Sequence, residues 1–235
     1  MKQYQIRLSL ISVAILISVS AFAQNIQIHR DFGRNTFTST VEMFKADGGG
    51  STFFFVDMDY DSKMTGAYFE IARELCFWNE SKIDWLSVHV EYNGGLDIVN
   101  SSYNNCWLGG LTYSGHSKDW SKTWSVSAMY KAIPGTFDAS GNCQMHNFQI
   151  TGVWNLDFFN HWISFNGFFD FWREVRSWQG TEFIFLAEPQ LWANLRNING
   201  WEKIDLSVGT EVEISSNFVG RGFYVLPTLA LKWTF

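Results

Sequence analysis

From Phe223 to the last residue, Phe235, apolar and polar side chains take turns along the chain. Phe223, Val225, Leu229, Leu231, Trp233 and Phe235 share one parity; Tyr224, Thr228, Ala230, Lys232 and Thr234 share the other. A period of two is the mark of a β-strand whose faces meet different surroundings. The preceding run repeats it. Ile204, Leu206, Val208, Val212 and Ile214 alternate with Asp205, Ser207, Gly209, Glu211, Glu213 and Ser215. Apolar residues on one face and three acids on the other fit a strand with lipid outside and water inside. A soluble sandwich also alternates, but does not account for the closing phenylalanine.

The same alternation runs through 85–92, 124–131, 147–156 and 163–172. Clusters rich in glycine and asparagine punctuate the chain: Asp47-Gly48-Gly49-Gly50, Asn93-Gly94-Gly95, Asp138-Ala139-Ser140-Gly141-Asn142 and Asn197-Ile198-Asn199-Gly200. Such residues tolerate the backbone angles of tight turns. The pattern predicts strands over 25–32, 36–46, 51–61, 66–77, 83–93, 106–115, 122–132, 145–157, 161–174, 181–194, 202–216 and 222–235. Two residues break the rule. Arg73 falls on an apolar face, which implies an interfacial position or a bulge. Pro227, which has no ladder donor, implies a bulge or a strand end.

Tryptophan, tyrosine and phenylalanine make up 18% of the chain, yet the mean hydropathy is only −0.08. After residue 23 no run is long and apolar enough for a membrane helix. The fold class expected is all-β: a transmembrane antiparallel up-and-down β-barrel of about 12 strands. That number of strands encloses a narrow lumen.

Residues 1–23 read as a cleaved export signal. Lys2 and Arg7 precede an apolar run, Leu8 to Val19, and Ala21-Phe22-Ala23 forms a small-x-small cleavage site. The barrel is then 24–235. Removing the signal leaves 15 basic against 23 acidic residues, a net charge of −8. An acidic chain is a poor nucleic-acid partner. With only Cys76, Cys106 and Cys143, at most one disulfide within the chain is possible, Cys106–Cys143 being one pairing, and no cysteine spacing suggests a metal site.

Candidate functional residues follow from parity. Ser51, Phe53, Phe55, Asp57 and Asp59 share a face. Charge is costly in hydrocarbon, so Asp57 and Asp59 are expected in the lumen, and Phe53 and Phe55 with them. Carboxylates beside aromatic faces suit flat heterocycles with hydroxyl groups; filling a narrow barrel is the structural alternative. Glu42 shares parity with Thr38, Thr40 and Phe44, and Glu70 with Glu74. Glu91, Asp170, Glu188, Glu211 and Glu213 extend the acidic lining, with Trp172 on the same face as Asp170 and with Lys131 and His89 as basic counterparts. Such a lining favours neutral or cationic solutes. The same acids also serve as hydrogen-bonded struts of the wall.

These segments resemble the Tsx-type nucleoside-specific channel-forming proteins of the bacterial outer membrane. That family's early strands carry a Tyr-Leu-Glu-Tyr-Glu-Ala-Phe-like segment, then a strand resembling Phe-Asp-Phe-Tyr-Gly-Tyr-x-Asp. The counterparts are Thr38-Ser39-Thr40-Val41-Glu42-Met43-Phe44 and Phe53-Phe54-Phe55-Val56-Asp57-Met58-Asp59, matching at Glu42, Phe44, Phe55 and Asp59. Asp57 stands where the family has tyrosine, and Val56 where it has glycine. Ser51 to Asp59, 211–217 and 232–235 are similar to phrases of a nearer, uncharacterised Tsx-like exported family. The resemblance implies a twelve-stranded monomeric barrel passing nucleosides.

The reading is a passive channel in the outer membrane of a Gram-negative-type bacterium. Its expected partners are membrane lipid, the barrel-assembly machinery engaged through the strand ending at Phe235, and a small solute such as a nucleoside. No cofactor, metal or catalytic residue is expected. A barrel enzyme acting on lipid or peptide is the alternative, but His29, His89, His116, His146 and His161 lie in no nucleophile motif, and Gly-x-Ser-x-Gly is absent. A structural or adhesive barrel is a third possibility. The expected loops are short, the longest near 94–105 and 133–144.

Overall fold

The computed structural model describes residues 22–98 and 105–235. Its strands are β1 (Phe22–Asp31), β2 (Phe37–Asp47), β3 (Gly50–Tyr60), β4 (Met64–Leu75), β5 (Leu86–Asp97), β6 (Cys106–His116) and β7 (Lys122–Ala132). They continue with β8 (His146–Phe158), β9 (Ile163–Arg176), β10 (Thr181–Ala187), β11 (Gln190–Asn194), β12 (Leu206–Ser216) and β13 (Phe223–Thr234). Each pairs antiparallel with its neighbour in sequence, except that β10 and β11 occupy one position between β9 and β12. Pairing of β1 with β13, from Asn25 opposite Thr234 to Asp31 opposite Thr228, closes the sheet. Thirteen segments therefore make a closed twelve-position up-and-down barrel, as the alternation predicts.

The expected single strand over 181–194 is interrupted at Glu188-Pro189, because Pro189 has no amide hydrogen to donate. The wall stays closed there. The Glu188 amide donates to the Phe168 carbonyl at 3.0 Å, and the Val212 amide to the Pro189 carbonyl at 3.1 Å. Gly167 faces this break with φ 147°, and a Cβ there would lie 2.3 Å from the Glu188 carbonyl oxygen. Both the angle and the approach require glycine.

Three other expectations are corrected or resolved. Asn93-Gly94-Gly95 forms no turn; β5 continues through it to Asp97. Gly94 and Gly95 lie opposite Phe69 and Tyr68 of β4, and a Cβ on Gly94 would press on the Tyr92 hydroxyl and the Phe69 ring. Gly94 leaves room for the Tyr92 and Phe69 rings. Arg73 does face outward, with no register slip near it, but it sits by the strand end in a two-pronged ion pair with Asp47 at 2.7 and 2.8 Å. Pro227 marks neither a bulge nor an end. It lies inside β13 opposite Val212 without a shift in register. One step along, side chains stand in for the ladder: the Glu211 amide donates to Thr228 Oγ1 at 3.1 Å, and Thr210 Oγ1 to the Thr228 carbonyl at 2.5 Å. The 133–145 connection is the longest between these strands, as expected, but the other expected long loop is cut back to 98–105 by the extension of β5 and is shorter than 76–85 and 195–205. Cys76, Cys106 and Cys143 form no disulfide with one another, so the Cys106–Cys143 pairing is not made. The expected export signal, 1–23, lies outside the described residues apart from the backbone of Phe22 and Ala23, which pairs with Lys45 and Phe44.

Burial runs opposite to that of a soluble protein. On β1 the buried residues are Asn25, Gln27, His29 and Asp31, while Ile26 and Ile28 between them are exposed. Likewise Leu229, Leu231 and Trp233 are exposed on β13. Polar side chains fill the inside and an apolar, aromatic-rich surface faces outward, the pattern of a barrel whose solvent is lipid. One inner sector is apolar instead. Trp172, Ile184 and Leu186 are buried together and pack with Phe168 and Phe218.

Candidate functional site

Residues paired directly across neighbouring strands share a face, so register shows which side chains meet inside the barrel. One inner row runs Asn25, Glu42, Phe55, Glu70 and Asn93 over β1 to β5. The next runs Gln27, Thr40, Asp57, Tyr68 and Gly95. Phe53 lies beside Phe55, with ring centroids 5.9 Å apart, and Phe55 lies 6.0 Å from Tyr68. The three rings form a tilted ladder along the inner wall, flanked by Glu42, Asp57 and Glu70. The four positions that carry the Tsx-like resemblance, Glu42, Phe44, Phe55 and Asp59, all lie on this inner face of β2 and β3.

The wall holds these carboxylates in place. Glu42 accepts from Asn25 Nδ2 at 3.0 Å, Asp57 from Thr40 at 2.5 Å, Asp59 from Thr38 at 2.7 Å and Glu70 from the Tyr68 hydroxyl at 2.6 Å. Elsewhere on the inner face, Glu91 is hydrogen-bonded at 2.9 Å to His89, whose other ring nitrogen is 2.6 Å from Glu74. Asp170 accepts from Gln149 at 3.1 Å and from Thr151. Glu211 accepts from Gln190 at 2.5 Å. Glu213 accepts from Ser215 at 2.8 Å and pairs with Arg34, which also binds Asp31. Glu188, at the break between β10 and β11, accepts no hydrogen bond among the described residues and feels the charges of Glu211, Asp57 and Glu213.

The interior is unevenly filled. Trp172 belongs to the apolar cluster, capped by Lys131, whose Nζ lies 4.5 Å from the ring centre. Beside β1, Trp192 is fully buried, with Lys232 Nζ 4.1 Å from its ring centre and His29 edge-on at 6.1 Å. The inner faces of β2, β3 and β4 are only half-buried and so line the accessible part of the lumen. Of the expected site residues, Glu42, Phe53, Phe55, Asp57, Asp59 and Glu70 come together there. Glu91 and Trp172 are buried in the wall, Asp170 is a neighbour of Trp172, and Glu211 and Glu213 lie on β12.

The family model for DUF5020, described as a domain of unknown function, matches residues 23–235. The chain belongs to the DUF5020 family. No curated protein matches it. Among solved structures, the NanC porin superposes with a TM-score of 0.59 at 10% identity, over 90% of this chain and 98% of that one. Omp33, an outer membrane protein of Acinetobacter baumannii, aligns with a TM-score of 0.42 at 12% identity, over 92% and 98%. At such identity the NanC likeness is one of fold: a porin-like barrel.

For this DUF5020 chain, several inner-face residues escape a reading by strand. Tyr68 shares parity with Glu70, so its signal was present. Asn93 is hidden by the turn-like glycines that follow it. The buried row Asn25, Gln27, His29 and Asp31 alternates with isoleucines, but nothing local marks it as the inner face. At the barrel end where β13 finishes, a pocket of about 260 Å³ is lined by Asp119, Ser121, Asp157, Phe159, Asn160 and His161. Asp119 accepts hydrogen bonds from the Ser117 and Ser121 hydroxyls and the Ser121 amide, which pull its carboxyl down to about 2.

Proposed function

We propose that the protein is a bacterial outer-membrane channel for passive diffusion of small solutes, selective for neutral or cationic molecules that carry a flat ring, with nucleosides the leading class. The observation that carries this reading is the Phe53, Phe55 and Tyr68 ladder set between Glu42, Asp57 and Glu70 on the accessible inner wall. Rings stack on aromatic faces with little regard to detail, and fixed carboxylates accept hydrogen bonds from hydroxyl and amino groups. The excess of inner acids over inner bases disfavours anions. Kinship with the Tsx-type channels, an export signal at 1–23 and insertion through the strand ending at Phe235 belong to the same reading.

The test is uptake by liposomes holding the purified, folded barrel. Nucleosides are expected to enter faster than sugars of similar size, and cations faster than anions. Failure of every small solute to enter would refute the channel; equal entry of nucleosides and sugars would refute the ring selectivity.

A further inference from the structure

Asn93 is 3% exposed and stands on the inner face directly opposite Glu70. Its Oδ1 has no hydrogen-bond partner. Native proteins rarely leave a buried acceptor unpaired, because the group has lost water without gaining a donor. Glu70 is next to it in the same row and uses Oε1 for the Tyr68 hydroxyl. On the other side of Glu70 in that row is Phe55, whose ring continues the ladder to Tyr68. A flat ring lying on Phe55 and Tyr68 thus has an edge close to two acceptors, an amide oxygen and a carboxylate, that belong to one row of the wall.

We infer that Asn93, together with Glu70, reads the edge of the permeating ring and favours rings that carry an exocyclic amino group over those that carry a carbonyl there. The inference rests on the channel reading above and deepens it. An amino group brings two N–H donors, one for each acceptor. A carbonyl at the same place would set a third acceptor against them and leave Asn93 still unpaired. Sites built to hydrogen-bond a solute group discriminate against analogues that lack it for this reason.

The experiment measures influx into liposomes holding the full barrel, using two pairs of probes that differ at this edge: adenosine against inosine, and cytidine against uridine. The amino member of each pair is expected to enter about fivefold faster, the worth of one ordinary hydrogen bond. Asn93→Leu, close in shape, and Asn93→Ser, which withdraws the acceptor without adding bulk, are both expected to bring the ratios near one while sugar influx stays unchanged. Asn93→Asp, which keeps an acceptor in place, is expected to retain the preference. Equal influx in the unsubstituted protein, a preference for the carbonyl member, or a preference that survives in both the Leu and Ser variants would overturn the inference while leaving the channel standing. Entry of sugars without nucleosides would overturn the nucleoside reading and this inference with it. Entry of no solute would overturn the channel itself.

Discussion

Gly209→Ala tests whether the inner packing around β1, β11 and β12 is as tight as described. Gly209 faces inward between Trp192 of β11 and Ala230 of β13. A Cβ there would lie 2.3 Å from the Leu191 carbonyl oxygen and 2.5 and 2.8 Å from two atoms of the Trp192 ring. The ring has nowhere to retreat. It is fully buried, with Lys232 over one face and His29 against it, and its Nε1 donates to Gln190 at 3.0 Å. Overpacking of this kind costs about 1–3 kcal/mol, and a clash that includes backbone belongs near the top of that range. Gly109 provides the control. It faces outward on β6, and its nearest atom is the His89 carbonyl oxygen at 3.9 Å, so Gly109→Ala should stay within about 0.5 kcal/mol of the parent. Equilibrium unfolding in urea from lipid vesicles, followed by tryptophan fluorescence, measures both. A Gly209→Ala midpoint equal to those of the parent and Gly109→Ala would refute the packing described around Trp192.

Other expectations concern the lumen, the barrel mouth and one turn. Phe55→Ala removes the middle rung of the ladder, and nucleoside influx at low concentration should fall by the equivalent of about 1–3 kcal/mol of stacking while the barrel stays folded; unchanged influx would count against the ladder as the binding surface. Glu188→Gln should lower the preference for K⁺ over Cl⁻ in planar bilayers under a salt gradient, read as a reversal potential nearer zero; no change would remove Glu188 from the selectivity region. Arg34→Ala leaves Asp31 and Glu213, both buried, without their cation. It should cost about 1–3 kcal/mol in urea unfolding, less than a fully buried pair because Arg34 is 42% exposed, and more than Arg30→Ala. Asp119 has a folded-state pKa of about 2, below its ordinary value of 3.8, so its contribution to the β6–β7 turn is present above pH 3.8 and is lost as pH falls through about 2. Amide exchange at Ser121 should therefore accelerate between pH 4 and pH 2 in the parent and show no such step in Asp119→Asn.

Much of the architecture was legible in the chain because facing is a local property. A strand has two sides, and adjacent residues take opposite ones whatever the rest of the molecule does. Phe223 to Phe235 fall on the outer side for that reason, and Glu42, Phe55, Asp57 and Glu70 on the inner side. The same locality explains the errors. Asn93-Gly94-Gly95 has turn composition, but Phe69, whose ring lies against Gly94, comes from another strand. Nothing near Arg73 in sequence says that Asp47 awaits it.

What the sequence by itself determined is the barrel class, the parity of each strand and thus the acidic, aromatic character of the lumen. Only the tertiary structure decided which inner groups are satisfied and which wait for a partner. His29 meets Thr228 across 199 residues of chain, and Arg34 meets Glu213 across 179. Glu213 is paired and the Asn93 amide oxygen is not, a difference set by which strands closure brings side by side. A hydrogen bond depends on distance and angle between groups the chain places far apart, and period-two alternation carries no information about either.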